Sequence, residues 1–342
     1  MGLGLKGGLR AACAPAAALL IALALNCWAA SRAAGGAART FFAPPETTRR
    51  LLVGLKNSLK QAGALASART LPAPVRFREV KGRGLLVRAW VSGHGPYDFA
   101  VDTGAGATII SRRVAAQARV PVYAERPVRL SGLSGVRGAT AREASLRTLA
   151  VGDPGNRLSG RGLVVVADSL PEDLDGVLDP TECFHPLGYV IDFPSETIRA
   201  FDPQQSPLRR TDVSPGGAVV PWLTDGVSRR PFVQLAEGRR ALLDTGSGFG
   251  LAVTPEAARS LGVVGHRRGR EGAVIDLGRG RVGARRVAPA TVHVGPLALR
   301  NVPTDLLSGA SAGAPVLLGR DALRPFELTF DPVNRLVRFL PR

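Results

Sequence analysis

The feature that most constrains this chain is a duplication. Tyr97-Asp-Phe-Ala-Val-Asp-Thr-Gly-Ala-Gly-Ala-Thr-Ile-Ile-Ser111 aligns with Arg239-Arg-Ala-Leu-Leu-Asp-Thr-Gly-Ser-Gly-Phe-Gly-Leu-Ala-Val253. Each copy is a short hydrophobic strand that runs into Asp-Thr-Gly, then a Gly-containing turn, then a second hydrophobic strand. Further on, Asp175-Gly-Val-Leu-Asp179 matches Pro315-Val-Leu-Leu-Gly319, and Gly188-Tyr-Val-Ile-Asp-Phe193 matches Phe326-Glu-Leu-Thr-Phe-Asp331. The intervals agree as well: Asp102 to Asp179 is 77 positions and Asp244 to Gly319 is 75, while Asp102 to Asp192 is 90 and Asp244 to Asp331 is 87. Strings that recur at matched intervals identify an internal repeat. A short helix is expected after each second strand. In the second copy Thr254 can cap it, Pro255 suits its first turn and Gly262 ends it.

The repeat divides the chain into halves at 75–205 and 218–342, joined by a polar, proline-containing linker at 206–217. Each half reads as short Val/Leu/Ile-rich strands broken by Gly and Pro, an all-β pattern. Ahead of them, Lys6 and Arg10 precede an apolar run from Ala11 to Leu25 with small residues at Ala29 and Ala30, the layout of a secretory signal over residues 1–30. A cleaved signal is favoured over an uncleaved membrane anchor and over a lipoprotein built on Cys27. Residues 31–74 form an extension in which Leu51, Leu52, Leu55 and Leu59 fall at helical spacing.

Composition excludes several chemistries. Three cysteines (Cys13, Cys27, Cys183) rule out a disulfide scaffold and cysteine-based zinc modules. Four scattered histidines contain no metalloprotease pattern, so neither a metal nor a cofactor is expected. The formal net charge is +18 at 342 residues, nearly all of it from arginine, since only four lysines occur. These charges are spread over many loops with few aromatics between them, so nucleic acid is not the expected partner. Gly278-Arg-Gly-Arg-Val-Gly283 matches a dinucleotide fingerprint in letters but lacks the following helix, and reads as a hairpin.

An aspartate at a strand tip, followed by Thr and Gly, suits one chemistry. Glycine permits a tight turn and close approach to the carboxylate, and Thr can hold the loop by hydrogen bonds. Two such loops meeting at a pseudo-two-fold axis bring two carboxylates together, which then share one proton. Such a pair performs general acid–base hydrolysis through a bridging water, without metal or covalent nucleophile.

At this point the sequence resembles the aspartic proteases. The Leu317-Leu-Gly-Arg-Asp-Ala-Leu323 string and the intervals most resemble the retropepsin-like branch, as a single-chain tandem in the manner of bacterial exported members. The resemblance covers about residues 80–340. It implies a bilobal all-β fold, with two retropepsin-like closed or open β-barrel lobes related by pseudo-two-fold symmetry. It implies Asp102 and Asp244 as the catalytic dyad, Thr103 and Thr245 as cross-lobe locks, and Gly104 and Gly246 beside the carboxylates. Ser247 would hydrogen-bond the outer oxygen of Asp244, which Ala105 cannot do for Asp102. A flap is expected at Ser131, Gly132, Leu133, Ser134 and Gly135, with a second in the stretch from Gly269 to Gly283. Arg320 would be buried with an acidic partner, but Gly106 and Gly248 stand where that partner is usual. The first half also departs from the pattern at Asp179, where glycine is expected, placing a third carboxylate near the dyad.

The leading function is therefore an aspartic-type endopeptidase, exported to the periplasm or outside the cell, acting on an extended peptide or protein as a monomer. The alternative is a catalytically silent peptide-binding module with the same cleft. A nucleic-acid-binding role rests on charge alone. The blander reading of Asp102 and Asp244 is a pair of turn aspartates, which would require the duplication to be inert in both copies.

Overall fold

Among the described residues, alternating and continuous runs of Val, Leu and Ile build 22 strands, joined by turns and four short helices. The computed structural model describes residues 71–342 except 161, 169, 171–173, 227, 237, 264–270 and 277–278. The signal, most of the extension and part of the second flap stretch lie outside the described residues. In the first half the order is β1 (Val75–Arg76), β2 (Arg78–Val80), β3 (Gly84–Val91), β4 (His94–Val101), β5 (Thr108–Ser111), α1 (Arg112–Gln117), β6 (Val122–Leu130) and β7 (Ala139–Ala144). There follow β8 (Leu149–Val151), β9 (Val164–Ala167), β10 (Gly176–Leu178), α2 (Pro180–Cys183), β11 (Gly188–Asp192) and β12 (Thr197–Phe201). The second half contains β13 (Ala218–Pro221), β14 (Phe232–Gln234), β15 (Arg240–Asp244), β16 (Leu251–Val253), α3 (Pro255–Ser260), β17 (Glu271–Ile275) and β18 (Arg281–Val294). It ends with β19 (Leu297–Ser308), β20 (Val316–Gly319), α4 (Arg320–Leu323), β21 (Phe326–Asp331) and β22 (Leu336–Pro341).

The two halves pair their strands in related ways. The first half's sheet runs β2-β3-β4-β10-β5-β9-β7-β6, with β8 on β3, and the second half's runs β14-β15-β20-β16-β19-β18-β17. In both, the strand entering Asp-Thr-Gly lies parallel to a late strand: β4 on β10 and β15 on β20. The third sheet belongs to both halves, in the order β1-β12-β11-β21-β22-β13. Its middle is the antiparallel pair of the repeated strings themselves, with Tyr189 opposite Phe330 and Ile191 opposite Leu328. The Tyr189 and Phe330 rings stack at 4.6 Å there. Burying both copies of one apolar strand against each other ties the halves into one core, and Arg69–Arg342 forms a single unit by its contacts.

Both expected helices are present, the second where Thr254 predicts its start. Ser111 Oγ accepts from Val114 N–H and Thr254 Oγ1 from Ala257 N–H, both at 3.2 Å. Pro255 opens α3, and Gly262, at φ +64°, follows it in the left-handed region.

Candidate active site

Strands β4 and β15 deliver the two Asp-Thr-Gly loops to the junction between the halves, and the threonines lock them there. Thr103 N–H donates to Thr245 Oγ1 and Thr245 N–H to Thr103 Oγ1, both at 3.1 Å. Each hydroxyl donates onward across the junction, Thr103 to the Leu243 carbonyl at 2.5 Å and Thr245 to the Val101 carbonyl at 2.9 Å. Both threonines are fully buried. Four reciprocal bonds with every donor and acceptor satisfied fix the loops rigidly, because breaking any one leaves a buried polar group unpaired.

That lock brings the carboxyl groups of Asp102 and Asp244 to the two sides of Gly104, where an added Cβ would lie 3.0 Å from Asp244 Oδ1 and 3.2 Å from Asp102 Oδ1. Each carboxylate also accepts from its own loop: Asp102 from Gly104 N–H at 2.7 Å, Asp244 from Gly246 N–H at 2.9 Å and Ser247 N–H at 3.1 Å. The glycines are required by the closeness. A Cβ on Gly246 would lie 2.4 Å from the Asp102 carboxyl carbon, and one on Gly104 would lie 3.0 Å from that of Asp244.

Both aspartates are half-buried. Burial is the largest influence and pushes both carboxyls above the ordinary range. The Asp102 charge pushes Asp244 higher still, whereas loop amides and the Arg320 guanidinium draw Asp102 back down. Two neighbouring carboxyls both raised in this way have the electrostatics suited to sharing one proton.

Ser247 is a correction to the sequence reading. Its hydroxyl accepts from Phe249 N–H at 3.2 Å, and it is the backbone N–H that reaches Asp244. The tight turn points the amide inward and leaves the side chain to brace the following residue. Ala105 lacks no function on that account. Its position still differs, because its N–H turns to the Asp102 carbonyl at 3.4 Å and so does not double the Gly104 bond.

Arg320 is buried, and its acidic partner is Glu79, from the other half. Arg320 Nε donates to Glu79 Oε1 at 3.1 Å and its NH1 to the Thr245 carbonyl at 2.7 Å. Arg324 joins the same Glu79 oxygen at 2.7 Å. A carboxylate on β2 thus clamps the loop of Asp244 through a guanidinium on α4. Sequence reasoning missed Glu79 because it looked just after each Asp-Thr-Gly, where Gly106 and Gly248 stand; the pair spans 241 positions.

The equivalent place in the first half holds Asp179 and Pro180. Asp179 is buried and caps α2, its Oδ1 accepting from Thr181 N–H at 2.9 Å. Burial first, then the Glu182 charge, raise its carboxyl to about 8, and the Asp102 charge contributes too. It is therefore close enough to sense the dyad. Cys183 is buried against Thr108 Oγ1 at 3.0 Å, and burial pushes its thiol up to about 12, which removes it as a nucleophile.

The expected flap residues Ser131, Gly132, Leu133, Ser134 and Gly135 connect β6 to β7 at the tip of a hairpin whose first strand is largely exposed. In the second half, β17 and β18 form the corresponding hairpin, pairing from Glu271 with Arg285 to Ile275 with Arg281. Among the described residues, no group of three His, Cys, Asp or Glu side chains is placed to hold a metal ion. No curated protein matches the chain significantly. A family model described as aspartyl protease matches residues 87–178, so the span from β3 to β10 that carries Asp102 is similar to that family.

Proposed function

We propose that the protein is an aspartic-type endopeptidase with Asp102 and Asp244 as its catalytic dyad. The observation that carries this reading is the closeness of the two carboxyl groups, both within reach of one Gly104 Cβ, on reciprocally locked Asp-Thr-Gly loops. An extended polypeptide lies between the halves, under the flap hairpins, with a water on the dyad. The ionised carboxylate takes a proton from that water as it attacks the scissile carbonyl. The protonated carboxyl donates its hydrogen bond to the carbonyl oxygen. Collapse of the tetrahedral intermediate then passes a proton to the leaving amine. The shared proton is essential, so activity is greatest in acid and falls as rising pH removes it.

The silent-module alternative draws on the second flap, which the sequence marks only loosely, and on Asp179. Its carboxyl is occupied in capping α2, which weighs against its obstructing the dyad. Both half-sites lie in one chain, which favours activity as a monomer, and the signal-like first 30 residues favour export. The reading is tested by incubating purified protein with a denatured protein substrate and sequencing new termini. Wild type should cleave at acidic pH, and Asp102→Asn and Asp244→Asn should not.

A further inference from the structure

The two hairpins are fastened to each other. Ser134 offers two donors, its N–H at 2.8 Å and its Oγ–H at 2.6 Å, to one oxygen of Asp276 from the opposite hairpin. The other oxygen of Asp276 accepts from Gly280 N–H at 3.0 Å, so the acceptor is held by its own turn before Ser134 arrives. Beside this clasp, Leu133 C=O accepts from Ser311 N–H at 2.9 Å, and the Leu133 side chain packs on the second half's cluster around Phe232, Leu242 and Leu307. Nothing larger than glycine fits the contact. A Cβ on Gly132 would meet Asp276 at 2.4 Å, and one on Gly280 would meet Ser134 Oγ at 1.8 Å.

We propose that Asp276 is a positioning residue that holds the first flap closed over the dyad through Ser134, so that substrate enters only after this clasp opens. The proposal rests on the protease reading for its kinetic consequence but not for its structural one. A carboxylate accepting two hydrogen bonds from the same residue is among the stronger polar contacts available at a partly exposed site. The closed flap keeps bulk water from the dyad, and reclosure on substrate remakes the clasp.

The test combines two readouts on wild type, Asp276→Ala, Asp276→Asn and Ser134→Ala. In native-state hydrogen exchange, Asp276→Ala should speed exchange at residues 133–136 by about tenfold or more, with exchange in the shared six-stranded sheet unchanged. Ser134→Ala, which keeps the backbone donor, should show a smaller increase, and Asp276→Asn, which keeps an acceptor, should restore part of the protection. In peptide cleavage, Asp276→Ala should lower kcat more than it changes KM. Unchanged exchange at 133–136 in Asp276→Ala overturns the clasp. Faster exchange with unchanged kcat overturns its positioning role. Absence of cleavage by wild type itself counts against the protease reading, and the exchange result then still decides the clasp.

Discussion

Glu79→Ala tests the cross-half clamp on the Asp244 loop most sharply. The perturbed partner, Arg320, has a side chain only 5% exposed, whereas that of Glu79 is 23% exposed. Removing the carboxylate leaves the guanidinium with the Thr245 carbonyl and takes away the acceptor of its Nε. A buried ion pair broken on one side costs about 3–5 kcal/mol, and one unsatisfied charged donor about 1–3 kcal/mol. Water can reach the vacated Glu79 position, so the expected loss is about 2–3 kcal/mol. Glu79→Gln keeps an oxygen acceptor and should lose about half as much. Denaturant unfolding of wild type, Glu79→Ala, Arg320→Met and the double variant gives the coupling energy directly. The Arg324 bridge to Glu79 is 54% exposed on the arginine side, and Arg324→Ala should cost well under 1 kcal/mol. A Glu79→Ala loss below about 0.5 kcal/mol, or additive single variants, would refute the clamp.

Two further outcomes follow from the same site. Thr103→Val removes a hydroxyl that both donates to the Leu243 carbonyl and accepts from Thr245 N–H, leaving two buried groups unpaired. A loss of about 2–4 kcal/mol in chemical denaturation is expected, and Thr103→Ser should retain most of the stability. Asp179 has its carboxyl raised from 3.8 to about 8 in the folded protein, which therefore holds a proton that the unfolded chain releases. Stability contributed by this group is greatest below pH 4 and declines as pH rises towards 8. Asp179→Asn, which keeps a capping side chain, should be near neutral at pH 4 and stabilising by a few kcal/mol at pH 8 in the same unfolding assay.

The two Asp-Thr-Gly loops and the short helices after them are legible in the duplication, and the hairpin turn at residues 131–135 in its own glycine-containing string. Each depends on residues adjacent in sequence. Glu79 and Asp276 are not legible in this way, because their contacts exist only across the junction between the halves. Glu79 sits on a three-residue strand without pattern of its own, and its partner lies on the last helix. Asp276 meets Ser134 only because two exposed hairpins converge. Ser247 was misread for a local reason: in so tight a turn the backbone amide, which every residue type has, reaches the carboxylate before the hydroxyl does. The pairing of the two repeated strings with each other in one sheet is likewise a property of assembly, although each string announces a buried strand by its apolar run.

The central claim is that Asp102 and Asp244 act as one unit on a bound water. The most direct measurement is the rate of peptide-bond cleavage from pH 3 to pH 7 for wild type, Asp102→Asn and Asp244→Asn, with folding of each variant verified by unfolding midpoint. The account predicts cleavage by wild type that declines towards neutral pH, and a loss of roughly 10³-fold or more in either variant. Either variant cleaving at the wild-type rate would contradict it, as would a folded wild type that cleaves nothing across the range.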